Sequence, residues 1–310
     1  MQIAFWGVRG SAPTPLSPGR LDRKITALLE SVCRGDSVGD ARRRLASVPF
    51  YRRSTFGGNT TSIEVVQGST RVLLDLGTGA RLLGRRLVQN TPQPLHVLIT
   101  HLHWDHIQGL PFFEPAYRPE YTITFLSGIK GLSRLLAHQQ RPPYFPVSLA
   151  GMPSRRRFRH LVPGRPARIG ELTVHTLSLN HPGGCFGYRL ESAEGAMVLM
   201  TDVELNRADR RSRQGYRRFV QGADYVVVDS QYDESDLAGK PDWGHSSIFQ
   251  FVELFADLEI GHLCMFHYDP SYSDSQIHRL HRSAAAVARR RKASFELVAT
   301  HEGMVLRTGN

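Results

Sequence analysis

The residues His101-Leu102-His103-Trp104-Asp105-His106 put three imidazoles and a carboxylate within six positions. Imidazole suits zinc, iron and related ions, and a carboxylate completes a mixed ligand set. His101 and His103 alternate, so an extended backbone points both to one side. Asp105 and His106 open the following turn and can face a second ion. Two ions about 3.5–4 Å apart can clamp the attacking and leaving oxygens of an in-line displacement. A lone histidine in such a place is more often a satisfied core residue, but the density of this cluster argues for metal.

Elements must bring further ligands to it. Four apolar runs each end in a histidine or an aspartate. Leu95–Thr100 runs into His101, Met197–Thr201 into Asp202, Tyr225–Val228 into Asp229, and Leu263–Phe266 into His267. Short apolar runs bounded by polar turns read as buried strands. Their last residues are expected to converge at one rim of a sheet.

The rest of the chain bounds the problem. It has 310 residues, 41% hydrophobic and 22% charged, which excludes a disordered or collagen-like chain. Cys33, Cys185 and Cys264 form no spaced pair, so neither a disulfide framework nor a cysteine zinc site is expected. No basic start followed by an apolar run marks a secretory signal, and no stretch is long enough to span a bilayer. A cytoplasmic protein without a membrane partner is expected. Lys and Arg number 39 against 28 acidic residues, a formal net charge of +11. The basic residues cluster at Arg42–Arg44, Arg155–Arg159, Arg207–Arg218 and Arg289–Lys292. A composition bias toward arginine and a polyanionic partner both explain that charge, and nucleic acid is a possible partner. Residues 16–53 read as a helical insertion between the first strand and the next. The stretch 111–160 reads as a long, Pro-rich loop with one short helix near Gly131–Gln140.

His-x-His-x-Asp-His after a strand resembles the signature of the metallo-β-lactamase superfamily. Histidine 181 in Asn180-His181-Pro182-Gly183, Asp202 and His267 follow in the order that family uses. Phe5-Trp6-Gly7-Val8-Arg9-Gly10-Ser11, Gly57-Gly58-Asn59-Thr60 and Trp243-Gly244-His245-Ser246-Ser247 are similar to its phosphodiesterase branch, which includes ribonuclease Z and cyclic-nucleotide phosphodiesterases. The resemblance implies an α/β (α+β) fold, a four-layer αββα sandwich, as one domain over 1–310 with the insertion and the loop region named above. It implies two divalent metal ions, zinc in most relatives with manganese or iron as alternatives. His101, His103 and His181 would hold the first ion. Asp105, His106 and His267 would hold the second, and Asp202 would bridge them. Asp105 also belongs with His245 and Asp229 in the catalytic set implied by the family. His245 would contact the phosphate or protonate the leaving oxygen, and Asp229 would orient it.

The function expected on that basis is hydrolysis of a small phosphodiester, such as a cyclic nucleotide, by a metal-bridging hydroxide. A ribonuclease Z-like nuclease acting on RNA or DNA ends is the alternative, and a non-catalytic binding protein on the same fold is the third. The complete ligand set argues against the last. A homodimer is expected, and the insertion is expected to form a lid or a partner-facing rim beside the site.

Overall fold

The computed structural model describes residues 1–32 and 38–309; Cys33 lies outside them. Among the described residues, fourteen strands form two seven-stranded sheets. In chain order β1 is Gln2–Gly7, β2 Ser62–Gln67, β3 Thr70–Leu74, β4 Leu95–Leu98, β5 Thr122–Ser127, β6 Arg155–His160 and β7 Ala167–Ile169. Then come β8 Leu172–Leu179, β9 Cys185–Ser192, β10 Gly195–Met200, β11 Tyr225–Asp229, β12 His262–Phe266, β13 Glu296–Ala299 and β14 Val305–Arg307. The helices are α1 Pro18–Val32, α2 Val38–Ser47, α3 Phe50–Arg53, α4 Gly79–Leu87, α5 Trp104–Ile107, α6 Leu132–Gln139, α7 Arg210–Val220, α8 Glu234–Ala238, α9 Ile248–Phe255 and α10 Asp274–Arg290.

The first sheet runs β14-β1-β2-β3-β4-β5-β6, the second β13-β12-β11-β10-β9-β8-β7. Each is half antiparallel and half parallel. The parallel runs are β3 to β6 and β10 to β13. Parallel strands are covered on both faces and read as continuous apolar runs, as β10 and β11 do. One core lies between the sheets and continues beneath α7, α9 and α10, with Leu74, Leu98, Val198, Val227, Phe251 and Ile277 fully buried. Alternate residues of the first sheet, Leu73, Val97, Ile123 and Phe125, face a second core beneath α4 and α6. Helices outside two packed sheets give the expected αββα sandwich.

The stretch 111–160 corrects the expectation of a loop with one helix. It also holds β5 and β6. Thr122-Ile123-Thr124-Phe125 alternates with its apolar side chains inward, the period of a strand. β6 is an edge strand carrying Arg155, Arg156, Arg157 and Arg159, mostly exposed, so no apolar alternation marks it.

The insertion forms α1, α2 and α3. Lys24 of α1 pairs with Asp274 at 2.9 Å and donates to the carbonyls of Tyr51 and Ser54, which ties the insertion to the start of α10. Leu21, Ile25 and Leu29 of α1 stay exposed.

Candidate metal centre

Strand register sets the site. Met200 of β10 pairs with Val228 of β11, and Asp229 of β11 pairs with Phe266 of β12. Asp202, Asp229 and His267 therefore emerge within about a residue of one level at the ends of three parallel strands. The first sheet meets them from the other side. Beyond β4 the chain passes through Thr100 to His101 and His103, and α5 begins with Trp104-Asp105-His106. Asp75, Asp202 and His267, each just beyond a strand, have φ of 59°, 56° and 63°. Non-glycine residues rarely take this left-handed conformation, and it persists where surrounding contacts over-determine it.

All nine residues singled out in the sequence meet at this rim. His101, His103, His181 and Asp202 form one group of potential donors, and Asp105, His106, Asp202 and His267 a second, each with its donor atoms within 4.8 Å of one another. Asp202 belongs to both. In the first group His181 Nε2 is 3.1 Å from His103 Nδ1, and His101 Nε2 is 3.5 Å from Asp202 Oδ2. In the second, His106 Nε2 is 3.1 Å from His267 Nε2 and 3.3 Å from Asp202 Oδ1, while His267 Nε2 is 3.0 Å from Asp105 Oδ2. Ligands at about 2.0–2.1 Å around a tetrahedral ion stand about 3.4 Å apart, which matches these spacings.

The tautomers also fit a cation. His181 Nδ1–H donates to the Gly244 carbonyl at 2.8 Å. His106 Nδ1–H donates to Asp75 Oδ2, also at 2.8 Å. The Thr100 hydroxyl donates to Asp75 Oδ2 and so accepts from His101 Nδ1–H at 3.0 Å. Each of these bonds fixes the ring and turns the Nε2 lone pair inward. His101 Nε2 is buried with no hydrogen-bond partner. A buried acceptor left in that way is costly unless something else satisfies it.

Charge points the same way. Burial, with neighbouring imidazoles, holds His101 well below the ordinary histidine range, and burial lowers His103 and His181 too. Metal ligation needs such neutral rings. Burial would lower His106 as well, but the Asp202, Asp105 and Asp75 carboxylates raise it well above that range. Three carboxylates around one ring make a place for positive charge. The residues present therefore fit two divalent cations.

His245 stands beside both groups. Its Nδ1 donates to Asp229 Oδ2 at 2.9 Å and lies 4.0 Å from Asp202 Oδ2. Burial pushes its imidazolium down, yet Asp229, with Asp202 and Asp105, more than offsets this and raises it to about 9. Ser247 caps α9 through a capping box with Gln250. Ser246 Oγ donates to the Val203 carbonyl and accepts from Leu205 N–H, pinning the loop to the segment beyond Asp202. The site opens at His103, which is exposed, as are its neighbour Trp104 at 80% and Trp243, next to Gly244, at 59%.

Other residues sort themselves by contact. Asp75, just beyond β3, accepts from Thr100 N–H, the Thr100 hydroxyl and His106. Asn59 turns away to Glu302 through its backbone and its amide, at 2.6 and 3.0 Å. Asp269 accepts from Ser271 and closes a turn. Buried Arg9 clamps the carbonyls of Gly57, Asp269 and Tyr272. Thr100 and Gly10 escaped sequence reasoning. A Cβ on Gly10 would lie 2.4 Å from His267 Nδ1, so only glycine admits that ring. The position of Thr100, directly before His101, was the only signal for it.

Known proteins resemble the chain in sequence and in fold. A ribonuclease Z from Bradyrhizobium sp. (strain ORS 278) is 24% identical over 287 residues, covering 75% of this chain and 89% of the relative. The fold superposes on the metallo-β-lactamase fold protein YhfI from Bacillus subtilis with a TM-score of 0.62 and 14% identity, covering 98% of each chain. A diphosphatase of the PhnP family gives the same TM-score at 17% identity, covering 99% of this chain and 97% of that one. A family model described as the beta-lactamase superfamily domain matches residues 70–268, a span that runs from β3 through His267 and takes in every donor of both groups. On that match, across more than half of its length, the chain belongs to the β-lactamase superfamily.

Proposed function

We propose that this metal-dependent hydrolase cleaves nucleotide phosphodiesters with two divalent ions, of which zinc suits the imidazole-rich donor set best. The observation that carries the reading is the sharing of Asp202 by two donor groups, with the His245–Asp229 pair beside it. When bound, two such ions supply a nucleophilic water at neutral pH and neutralise charge on the phosphate. The chain's own residues do the rest. His101, His103 and His181 would hold one ion, Asp105, His106 and His267 the other, and Asp202 would serve both. Asp229 keeps the proton on His245 Nδ1, so Nε2 can place a second proton at a leaving or nonbridging oxygen. Trp104, next to the exposed His103, and Trp243, next to the Gly244 that holds His181, offer exposed faces on which a base can stack.

A small diester such as a cyclic nucleotide needs only this mouth and is the first reading. The ribonuclease reading is favoured by the likeness to a ribonuclease Z along three quarters of the chain. The relative named as a diphosphatase also acts on phosphate bonds. Turnover by the metal-loaded protein of bis(p-nitrophenyl) phosphate, cyclic mononucleotides, cyclic dinucleotides and single-stranded RNA tests both. Hydrolysis of the cyclic mononucleotides supports the first, and cutting of RNA alone the second. Activity confined to thioesters or lactams would sink both.

A further inference from the structure

Away from the metal centre, the helical insertion and α10 enclose a cleft of about 800 Å³. One wall is a single face of α1, with Arg20, Arg23 and Lys24 along it at helical spacing. The facing wall is α10, with His278, Arg279 and Arg282. Asp274 and Glu30 are the carboxylates on the walls. Asp274 is already occupied, by Lys24 at 2.9 Å, the Thr55 hydroxyl and the Phe56 N–H. No ion pair engages Arg20, Arg23, Arg279 or Arg282 among the described residues.

The field is felt nearby. Burial lowers the guanidinium of Arg9, Asp274 opposes this, and Arg20 adds a smaller push downward. His278 is lowered by burial and then by His281 and Arg282. Four arginines held together without an ion pair among the described residues are a footprint for a polyanion. Aromatic surface accompanies them: the rings of Tyr51 and His278 stack at 4.1 Å on the cleft wall, with Arg52 5.8 Å from the Tyr51 ring. Guanidinium groups beside stacked rings suit a nucleic-acid strand better than a bare phosphate.

The cleft also adjoins the metal centre. Ser11 N–H donates to Asp105 Oδ2 at 2.7 Å, while Thr14 and Leu16, a few residues on, line the cleft. Five residue steps span at most about 18 Å, so the cleft begins within a few nucleotides of the scissile bond.

We infer that the cleft between α1 and α10 seats the phosphates of a single-stranded nucleic acid whose scissile diester lies at the metal centre. The inference rests on the phosphodiesterase reading and selects an oligonucleotide within it. It gives the insertion a substrate-gripping role in place of a lid.

The test combines Arg23→Gln, Arg279→Gln and Arg282→Gln in the metal-loaded full chain. None of the three touches the donor groups. Anisotropy of a labelled, cleavage-resistant phosphorothioate RNA of about 12 nucleotides reads binding across a salt series. The triple variant should bind at least about tenfold more weakly, with a salt slope shallower by about 2, from three lost contacts at about 0.7 each. Its hydrolysis of bis(p-nitrophenyl) phosphate should equal the parent's, which also certifies its fold. Unchanged RNA affinity and slope would overturn the inference. So would displacement of the RNA from the parent by pyrophosphate at equal phosphate concentration, which would make the cleft a small-phosphate site. A parent that binds RNA through these arginines but hydrolyses no diester would instead sink the phosphodiesterase reading and leave the cleft's ligand standing.

Discussion

Asp229 Oδ2 accepts a hydrogen bond from His245 Nδ1–H at 2.9 Å, and both residues are buried. The pair resembles the orienting carboxylate and imidazole of many acid–base systems, in which the carboxylate fixes the tautomer and stabilises the charged ring. His245→Ala should cut turnover of nucleotide diesters by roughly 10²–10⁴ while leaving metal content near the parent's. With p-nitrophenyl esters, whose leaving group needs no proton, the loss should be much smaller. Equal losses on both substrates would assign His245 to phosphate binding instead.

The same pair predicts a pH profile. A general acid works only while protonated, so activity on poor leaving groups should fall as pH rises through the His245 value. Asp229, with Asp202 and Asp105, raises that value to about 9, and bound cations will draw it lower, which places the basic limb at or below pH 9. Asp229→Asn should move the limb toward acid. A limb that stays in place would show that another group titrates there.

Asp202 reaches both donor groups, Oδ2 toward His101 and Oδ1 toward His106 and His267. Elemental analysis should find about two divalent ions per parent chain and clearly fewer in Asp202→Ala. Two ions retained by the variant would remove the bridging role.

Gly244 has a φ of 83°, and a Cβ there would sit 2.1 Å from His181 Nδ1. Gly244→Ala should expel His181 and weaken the first ion's binding, while Asp105, His106 and His267 keep the second. Metal titration should then show one tight and one weak site. Two sites with parent affinities would contradict the placement of His181.

Asp75 is fully buried and accepts three hydrogen bonds. Asp75→Ala leaves the Thr100 N–H and the His106 ring without their acceptor. Unfolding should become easier by about 2–4 kcal/mol, and metal affinity should drop roughly 10–100-fold. Denaturant melts with and without metal separate the two effects. Parent stability in the metal-free variant would argue against this support.

The rim was legible in the sequence because its residues break a rule: the runs Tyr225–Val228 and Leu263–Phe266 are apolar until Asp229 and His267 follow them. The density of His101 to His106 did the rest. What lay hidden depends on contacts between distant segments. Asn59 meets Glu302, 243 positions away, and nothing near either residue announces it. The hydroxyl of Thr100 is one among many until Asp75 and two histidines surround it. β6 carries its arginines on an exposed edge, where burial imposes no pattern to read. The cleft was hidden too: Arg20, Arg23, Arg279 and Arg282 lie outside the basic clusters of the sequence, and the arginines of α10 come from the far end of the chain.

The two sheets divide the centre between them. The loop beyond β4 supplies His101, His103, Asp105 and His106, while the ends of β8, β10 and β12 lead to His181, Asp202 and His267. Neither half carries a complete set for either ion. During synthesis the first half therefore emerges with four donors and no means of closing around a cation. A cation held by His101, His103, His181 and Asp202 would have to wait until β10 has been made and docked, and one held with His267 until β12, so loading would be a late event in the life of the chain, and the ions would join its two halves like a clasp.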